Sequence, residues 1–347
     1  MAITLSNDNI NSVAQLSTTE AAGLYAKLNQ EVSQSGALDR EYLYYLLLTS
    51  TEVIGFSLSL VLLIFSINPI VVLASTLGVA YFSVRFGGLV HDAGHRAIFN
   101  SPRINDAYGY IISTVIAFPY YVWKVKHNLH HAHPNEEGSD PDLEVPISFT
   151  ERMYNRDKLV VRIMRRYQAF LFFPLGMFVS FTMRLKALMF YLNNQSKKTG
   201  VLFIAHALMI FVWYVGPFIV FPLWKAMTFL IVANLVSGFY MLNVFAPNHK
   251  GMPQLEKNTK MSFLERQIIT ARNITCSAVL NHLYMGLNYQ IEHHLFPYCP
   301  RNKLVRISPY VKKICEEHQL QYTQMSAIQS TKFILHNLNE ASEEFGG

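Results

Sequence analysis

Charge is scarce in this chain. Asp, Glu, Lys and Arg make up 15% of its 347 residues, against 51% apolar, whereas water-soluble domains carry about 25% charged residues. Cysteine is scarcer still. Cys276, Cys299 and Cys315 form no Cys-x-x-Cys pair and cannot all be bonded to one another, which excludes a disulfide scaffold and suits a reducing cytoplasm. The N-terminus has no basic-then-apolar leader, its first lysine being Lys27, so no secretory signal is expected. Neither His-Glu-x-x-His nor Glu-x-x-His occurs anywhere. The first absence removes a zinc metalloprotease, the second a soluble carboxylate di-iron bundle. No internal repeat, low-complexity tract or linker marks a second domain. The net charge of +6 comes with no aromatic-basic recognition motif, so no nucleic-acid partner is expected.

What is present, first, is apolar length. Leu43 to Phe65 and Pro69 to Val90 each approach the ~20 residues that a helix needs to cross a bilayer. Gly200 to Phe221 and Leu223 to Phe245 form a second such pair. The turns inside the pairs, Ser66 to Pro69 and Gly216 to Pro222, hold no Lys or Arg. Residues 91–200 hold 14, and residues 250–347 hold 11. Basic residues mark the cytoplasmic side. The pattern predicts four transmembrane helices in two hairpins, with both termini and both basic regions on the cytoplasmic face. Arg85 and Lys225 fall near span ends, where long cationic side chains are expected to snorkel. Residues 101–122 and 167–191 are apolar but interrupted by Pro119, Pro174 and charges, and read as interfacial or re-entrant helices. Ahead of the first span, Ser17-Thr-Thr-Glu20 forms a capping box for a helix through Val32, with Gly36 as its stop. Its stripe of Leu24, Leu28 and Val32 either packs on the domain or lies at the membrane interface.

Second, histidine is clustered. His91-x-x-x-His95, His127-x-x-His130-His131 and Gln290-x-x-His293-His294 gather seven of the thirteen imidazoles. Neutral imidazole is the commonest side-chain ligand for transition metals. The spacings i,i+4 and i,i+3,i+4 put each of the first two sets on one helical face. His293 and His294 diverge by about 100° on a helix and reach two metals more easily than one. Seven imidazoles also exceed the four ligands of a closed zinc site, so two metals are the expected count. All-nitrogen ligation leaves Fe, Zn, Cu and Ni open. Asp92, Asn128, Asn248, Gln290 and Glu292 are placed to hydrogen-bond the outer ring nitrogens and fix their tautomers. His249, just past the fourth span, reads as a ligand or as an interfacial polar residue. His206 lies within a span, where a hydrogen bond to a neighbouring helix is expected. His133 and His282 lie near the clusters without joining them. Tyr120, Tyr121 and Trp123, with Phe172 and Phe173, line an acyl channel or anchor the membrane interface.

The combination His-x-x-x-His, His-x-x-His-His and Gln-x-x-His-His around two hydrophobic hairpins resembles the membrane-bound fatty-acid desaturase/hydroxylase family over about residues 40–310. The stretch Gly286-Leu-Asn-Tyr-Gln-Ile-Glu-His-His-Leu-Phe-Pro297 is similar to the third histidine box of front-end acyl desaturases, where Gln stands in place of the first His. The resemblance implies a non-haem di-iron centre with O2 as co-substrate, and it makes His249 an eighth ligand beside His91, His95, His127, His130, His131, His293 and His294. No catalytic residue beyond the metal centre is implied. The reaction implied is desaturation of an acyl chain carried on lipid, CoA or acyl-carrier protein; hydroxylation or alkyne formation by the same centre is the near alternative. A non-catalytic membrane metal or haem protein, or a transporter, is the remote one. Many front-end members carry a fused cytochrome b5. No histidine precedes His91 here, so the expected electron donor is a separate ferredoxin or cytochrome b5, and the compact form points to a bacterial inner membrane.

The fold class expected is therefore an all-α integral membrane protein. Four transmembrane helices in two hairpins would carry a cytoplasmic helical cap holding a histidine-rich dimetal site. Residues 1–40 would form an N-terminal helical segment, 41–310 the membrane and catalytic domain, and 311–347 a C-terminal tail.

Overall fold

The computed structural model of the chain describes residues 4–5, 16–145, 147–150, 159–194 and 196–345. Arg152, Arg156 and Lys158, part of the basic count above, lie outside them. The described chain is mostly helical. That follows from long apolar runs, because a helix satisfies its backbone hydrogen bonds internally and needs no water to do so. Two short parallel strand pairs add to the helices: Thr4–Leu5 with Gln254–Leu255, and Asn273–Thr275 with Gln324–Ser326. The chain divides into two compact units, one of residues 40–124 and 173–243, the other of residues 1–39, 125–172 and 244–347.

The first unit carries most of the apolar length. Helices Tyr42–Phe65, Pro69–Gly94 and Leu223–His249 are, among the described residues, long and apolar enough to cross a membrane. The first two are antiparallel neighbours across a short turn. Asn68 starts the second by accepting from the N–H groups of Ile70 and Val71, with Pro69 in the first turn. A Cβ added at Gly55 would lie 2.0 Å from the Phe82 ring, so glycine sets how closely this pair approaches. The expected span Gly200 to Phe221 is not one helix. Lys197–Tyr214 ends at Val215, and Gly216–Val220 begins a new turn at Pro217, whose missing N–H breaks the ladder. In the 167–191 region, Gln168–Met177 and Val179–Asn193 meet at a bend of 71°.

Neither Arg85 nor Lys225 snorkels. Arg85 is 3% exposed, and its Nε donates to Glu52 Oε1 at 2.6 Å. Lys225 Nζ donates to the carbonyls of Ile64 and Ser66 at 3.0 and 2.9 Å, closing the C-terminal end of the first long helix. In both cases a nearby acceptor within the packed unit holds the charge, so the side chain has no need to reach water.

In the second unit, helix Thr18–Gln34 opens on the expected capping box between Ser17 and Glu20, and Gly36 follows its end at φ 70°. Leu28 and Val32 are buried with Ile291, Leu295, Phe296, Ile307 and Val311, and the Tyr25 hydroxyl donates to the Leu295 carbonyl at 2.9 Å. The apolar stripe therefore packs on the domain, behind helix Gln290–Leu295. Helices Leu304–Glu317 and Ala327–Phe345 fold into the same unit. Cys276, Cys299 and Cys315 are free thiols.

Candidate metal centre

Helix Tyr120–Ala132 presents His127, His130 and His131 along one side. His127 and His131 bring their Nε2 atoms to 3.1 Å. The short helix Gln290–Leu295 supplies His293 and His294, and the last residue of Leu223–His249 supplies His249. All six rings meet in the second unit. Centroids of His131 lie 4.9 Å from His293 and 4.2 Å from His294, and those of His130 lie 4.7 Å from His249 and 5.1 Å from His294. One ring nitrogen from each of His130, His249 and His294 lies within 4.8 Å of the other two; His130 and His294 are buried and His249 is half-buried.

The tautomers follow from what each Nδ1 meets. His130 Nδ1 lies 3.0 Å from the buried carboxylate of Asp140, His249 Nδ1 is 2.9 Å from the carbonyl of Thr270, and His294 Nδ1 is 2.8 Å from Gln267 Oε1. Gln267 Nε2 in turn donates to the His131 carbonyl at 3.0 Å, so its oxygen faces His294. Each partner is an acceptor, so each Nδ1 carries the proton and each Nε2 offers a lone pair. His249 and His294 bring these Nε2 atoms to 3.1 Å of one another. Two facing lone pairs repel unless a cation lies between them. This donor set therefore fits a transition metal, with the outer nitrogens anchored as metal-binding histidines require.

Gln267 sits on the short helix Phe263–Ile269 and Thr270 caps its end, whereas Asp140 lies in a loop after His130. Asn135, at φ 55°, a conformation that Asn adopts more readily than most residues, offers its side-chain amide nitrogen as a donor. That nitrogen reaches the carbonyls of His249, Pro253 and Thr270 at 3.3, 3.1 and 3.3 Å. The Asn135 N–H donates to Asp140 Oδ2 at 2.8 Å, folding the acidic loop back on His130. Burial disfavours a charge on His130, but the carboxylates of Asp140 and Asp142 outweigh it and raise its pKa. Burial would raise the pKa of Asp140, but His130 lowers it.

His91 and His95 belong to the other unit. They end helix Pro69–Gly94, with ring centroids 4.7 Å apart. Asp92 Oδ1 is 3.3 Å from His91 Nδ1, and its Oδ2 accepts from the Tyr45 hydroxyl at 2.7 Å. The Trp123 ring lies over Gly94, where a Cβ would be 2.6 Å away.

Asn248 Nδ2 donates to Gln290 Oε1 at 3.1 Å, and Gln290 Nε2 lies 2.9 Å from His249 Nε2. Glu292 is fully buried but faces away from the imidazoles; it accepts from Tyr322 and Asn273, both at 2.6 Å, and burial raises its pKa. Asn128 is exposed on its helix, because the 100° step from His127 turns it off the ligand face. His133 approaches Glu136, not a cluster, and His282 is exposed. His206 Nε2 meets the Arg184 carbonyl of the adjacent helix at 3.3 Å. Tyr120 is buried and donates to Asp106 at 2.9 Å, Trp123 lies 5.7 Å from His91, and Tyr121 packs against Phe190. Asp140, Gln267, Thr270 and Asn135 were not anticipated. Only the turn signature around Ser139-Asp140-Pro141-Asp142 hinted that the chain reverses there.

A family model for fatty acid desaturases matches residues 67–326. The chain is 33% identical over 318 residues to an acyl-lipid (9-3)-desaturase of Physcomitrium patens, covering 87% of this chain and 59% of the moss protein. It is 30% identical over 264 residues to a Delta(5) fatty acid desaturase of Caenorhabditis elegans, covering 72% and 58%. With a Delta(8)-fatty-acid desaturase of Euglena gracilis it shares 26% identity over 336 residues, covering 91% and 78%. The chain thus spans somewhat under two thirds of the moss and nematode proteins. It belongs to the fatty acid desaturase family.

Proposed function

We propose that this protein is an O2-dependent fatty-acyl desaturase that introduces a double bond into an acyl chain carried on lipid, CoA or acyl-carrier protein. Its centre is two irons held by His91, His95, His127, His130, His131, His249, His293 and His294. Two electrons come from a ferredoxin or a cytochrome b5. Family membership supports the acyl substrate and the membrane setting. The observation that carries the metal reading is the convergence of His130, His249 and His294, each with Nδ1 tied to an acceptor and Nε2 turned inward.

When bound, the irons supply an oxidant strong enough for an unactivated C–H bond, which no side chain can provide. The chain's own residues do the rest. Asp140, the Thr270 carbonyl and Gln267 hold the protons on the outer nitrogens and keep the rings aimed. Asn135 holds the backbone of His249 and Thr270 together, so ring and acceptor move as one. Burial of His130 and His294 limits water around this corner.

The protein is multi-pass, with four spans in two hairpins and the histidine clusters on the cytoplasmic side. That side carries the Lys and Arg excess.

The test is the fatty-acid profile of cells with and without the chain, read by mass spectrometry. Products lighter by two hydrogens establish desaturation. Gain of one oxygen assigns hydroxylation instead, and an unchanged profile with no iron in the purified protein sinks the enzyme reading.

A further inference from the structure

We infer that Gln290 is not a metal ligand but a hydrogen-bond donor, fixed by Asn248 and aimed at the His130, His249 and His294 corner, where it recognises an exogenous ligand that brings a lone pair or negative charge. This deepens the metal reading above and rests on it.

The orientation of two amides decides the matter. Asn248 is 0% exposed. Its Nδ2 lies 3.0 Å from the carbonyls of both Val244 and Leu287. Carbonyl oxygens only accept, so the atom they meet is the amide nitrogen and not the oxygen. That same nitrogen, its two hydrogens shared among three neighbours, is 3.1 Å from Gln290; an NH2 there would set donor against donor, so the atom of Gln290 turned toward it is the oxygen. The NH2 end of Gln290 then points the other way, to 2.9 Å from His249 Nε2. The His249 tautomer agrees, because its Nδ1 proton goes to the Thr270 carbonyl and its Nε2 holds a lone pair that can accept.

A metal at this corner takes the His249 lone pair. Gln290 is then left with an N–H directed at the same place and no lone pair to offer, since an amide nitrogen's pair is delocalised into its carbonyl. Ligation through the Gln290 oxygen would require the amide to flip. Its NH2 would then meet the Asn248 NH2, leaving buried donors without acceptors, a costly arrangement. The corner consequently has three imidazoles and one donor. A metal held there by these three imidazoles alone would leave room for a further ligand, and a pre-aimed N–H beside it would stabilise negative charge that arrives there. A helix start places Gln290 for this task, and the buried Asn248 on the preceding long helix keeps it there.

The test uses the full-length, detergent-purified protein loaded with iron. Iron per chain is measured by mass spectrometry, and azide is titrated against the ferric protein by its charge-transfer absorption. Gln290→Leu is expected to keep the wild-type iron content while weakening azide roughly tenfold, the loss expected for one hydrogen bond to an anion. His249→Leu is expected to lose iron. Gln290→Leu losing iron to the level of His249→Leu would make Gln290 a ligand and overturn the inference. So would unchanged azide affinity in Gln290→Leu. Should that variant fail to fold, the isosteric Gln290→Glu serves in its place: it presents an acceptor where the donor stood and must also weaken azide. Wild-type protein that takes up no iron refutes the metal reading itself and this inference with it. Iron in the wild type with either overturning result refutes only the role of Gln290.

Discussion

One amide ties two histidine clusters together: Gln267 Oε1 accepts from His294 Nδ1 at 2.8 Å, and its Nε2 donates to the backbone carbonyl of His131 at 3.0 Å. Gln267 is itself 0% exposed. Gln267→Leu keeps the bulk but removes both bonds. It is expected to lower iron affinity by about 10–100-fold, the usual range for losing an outer partner of a metal-binding histidine. Competition with a graded series of chelators measures this, and wild-type retention of iron would show that Gln267 only fills space.

The ligand set predicts an all-or-none pattern of activity. His131→Ala, His294→Ala and His249→Ala should each abolish product formation while leaving membrane insertion intact. His206→Ala should retain substantial activity, because His206 meets a backbone carbonyl of the adjacent helix rather than the cluster. Fatty-acid analysis of expressing cells is the readout. Full activity in the His131 or His294 variant would sink the ligand assignment.

Two polar rungs join the antiparallel helices Tyr42–Phe65 and Pro69–Gly94, Tyr45 with Asp92 and Glu52 with Arg85. They are seven residues apart on each helix, so the second rung helps set the register that brings Tyr45 to the carboxylate beside His91. Glu52→Leu leaves Arg85 buried without its carboxylate and should destabilise the protein by about 3–5 kcal/mol, whereas the double change Glu52→Leu with Arg85→Met should recover most of that loss. Thermal unfolding in detergent separates the two outcomes. Equal instability of the single and double variants would show that the pair has no such partnership.

Acid should weaken the second unit through Glu136. Burial opposes the charge on Glu136, but Arg266, Ser139, Asn258 and His133 together hold its pKa below the usual 4.5. A carboxylate with a lowered folded-state pKa stabilises the fold above its unfolded value, and that contribution is lost as pH falls through the lowered one. Glu136→Gln should therefore cost about 1–3 kcal/mol near neutral pH, with the gap to wild type closing below about pH 4.5. A gap that stays constant across this range would assign the loss to packing instead.

The histidine clusters and the first apolar hairpin were legible in the sequence because both signals are local. Ligand spacing of three and four residues needs only the helical repeat, and an apolar run needs only its length. The capping box at Ser17 and Glu20 was legible for the same reason, since its two bonds close within one turn. Asn128 misled because sequence proximity to His127 says nothing of the 100° that separates neighbouring residues on a helix. Arg85 misled because a charge near a span end has two outlets, and the choice depends on whether a facing helix offers a carboxylate.

By itself, then, the sequence determined that histidines cluster in three short motifs and that long apolar helices run through the chain. The tertiary structure alone decided what anchors His130, His249 and His294. Asp140 reaches His130 from ten residues away, Thr270 reaches His249 from 21, and Asn135 grips the His249 carbonyl across 114. Those bonds exist only because loops distant in the chain fold onto one buried corner. There, any acceptor left without a donor is penalised in full.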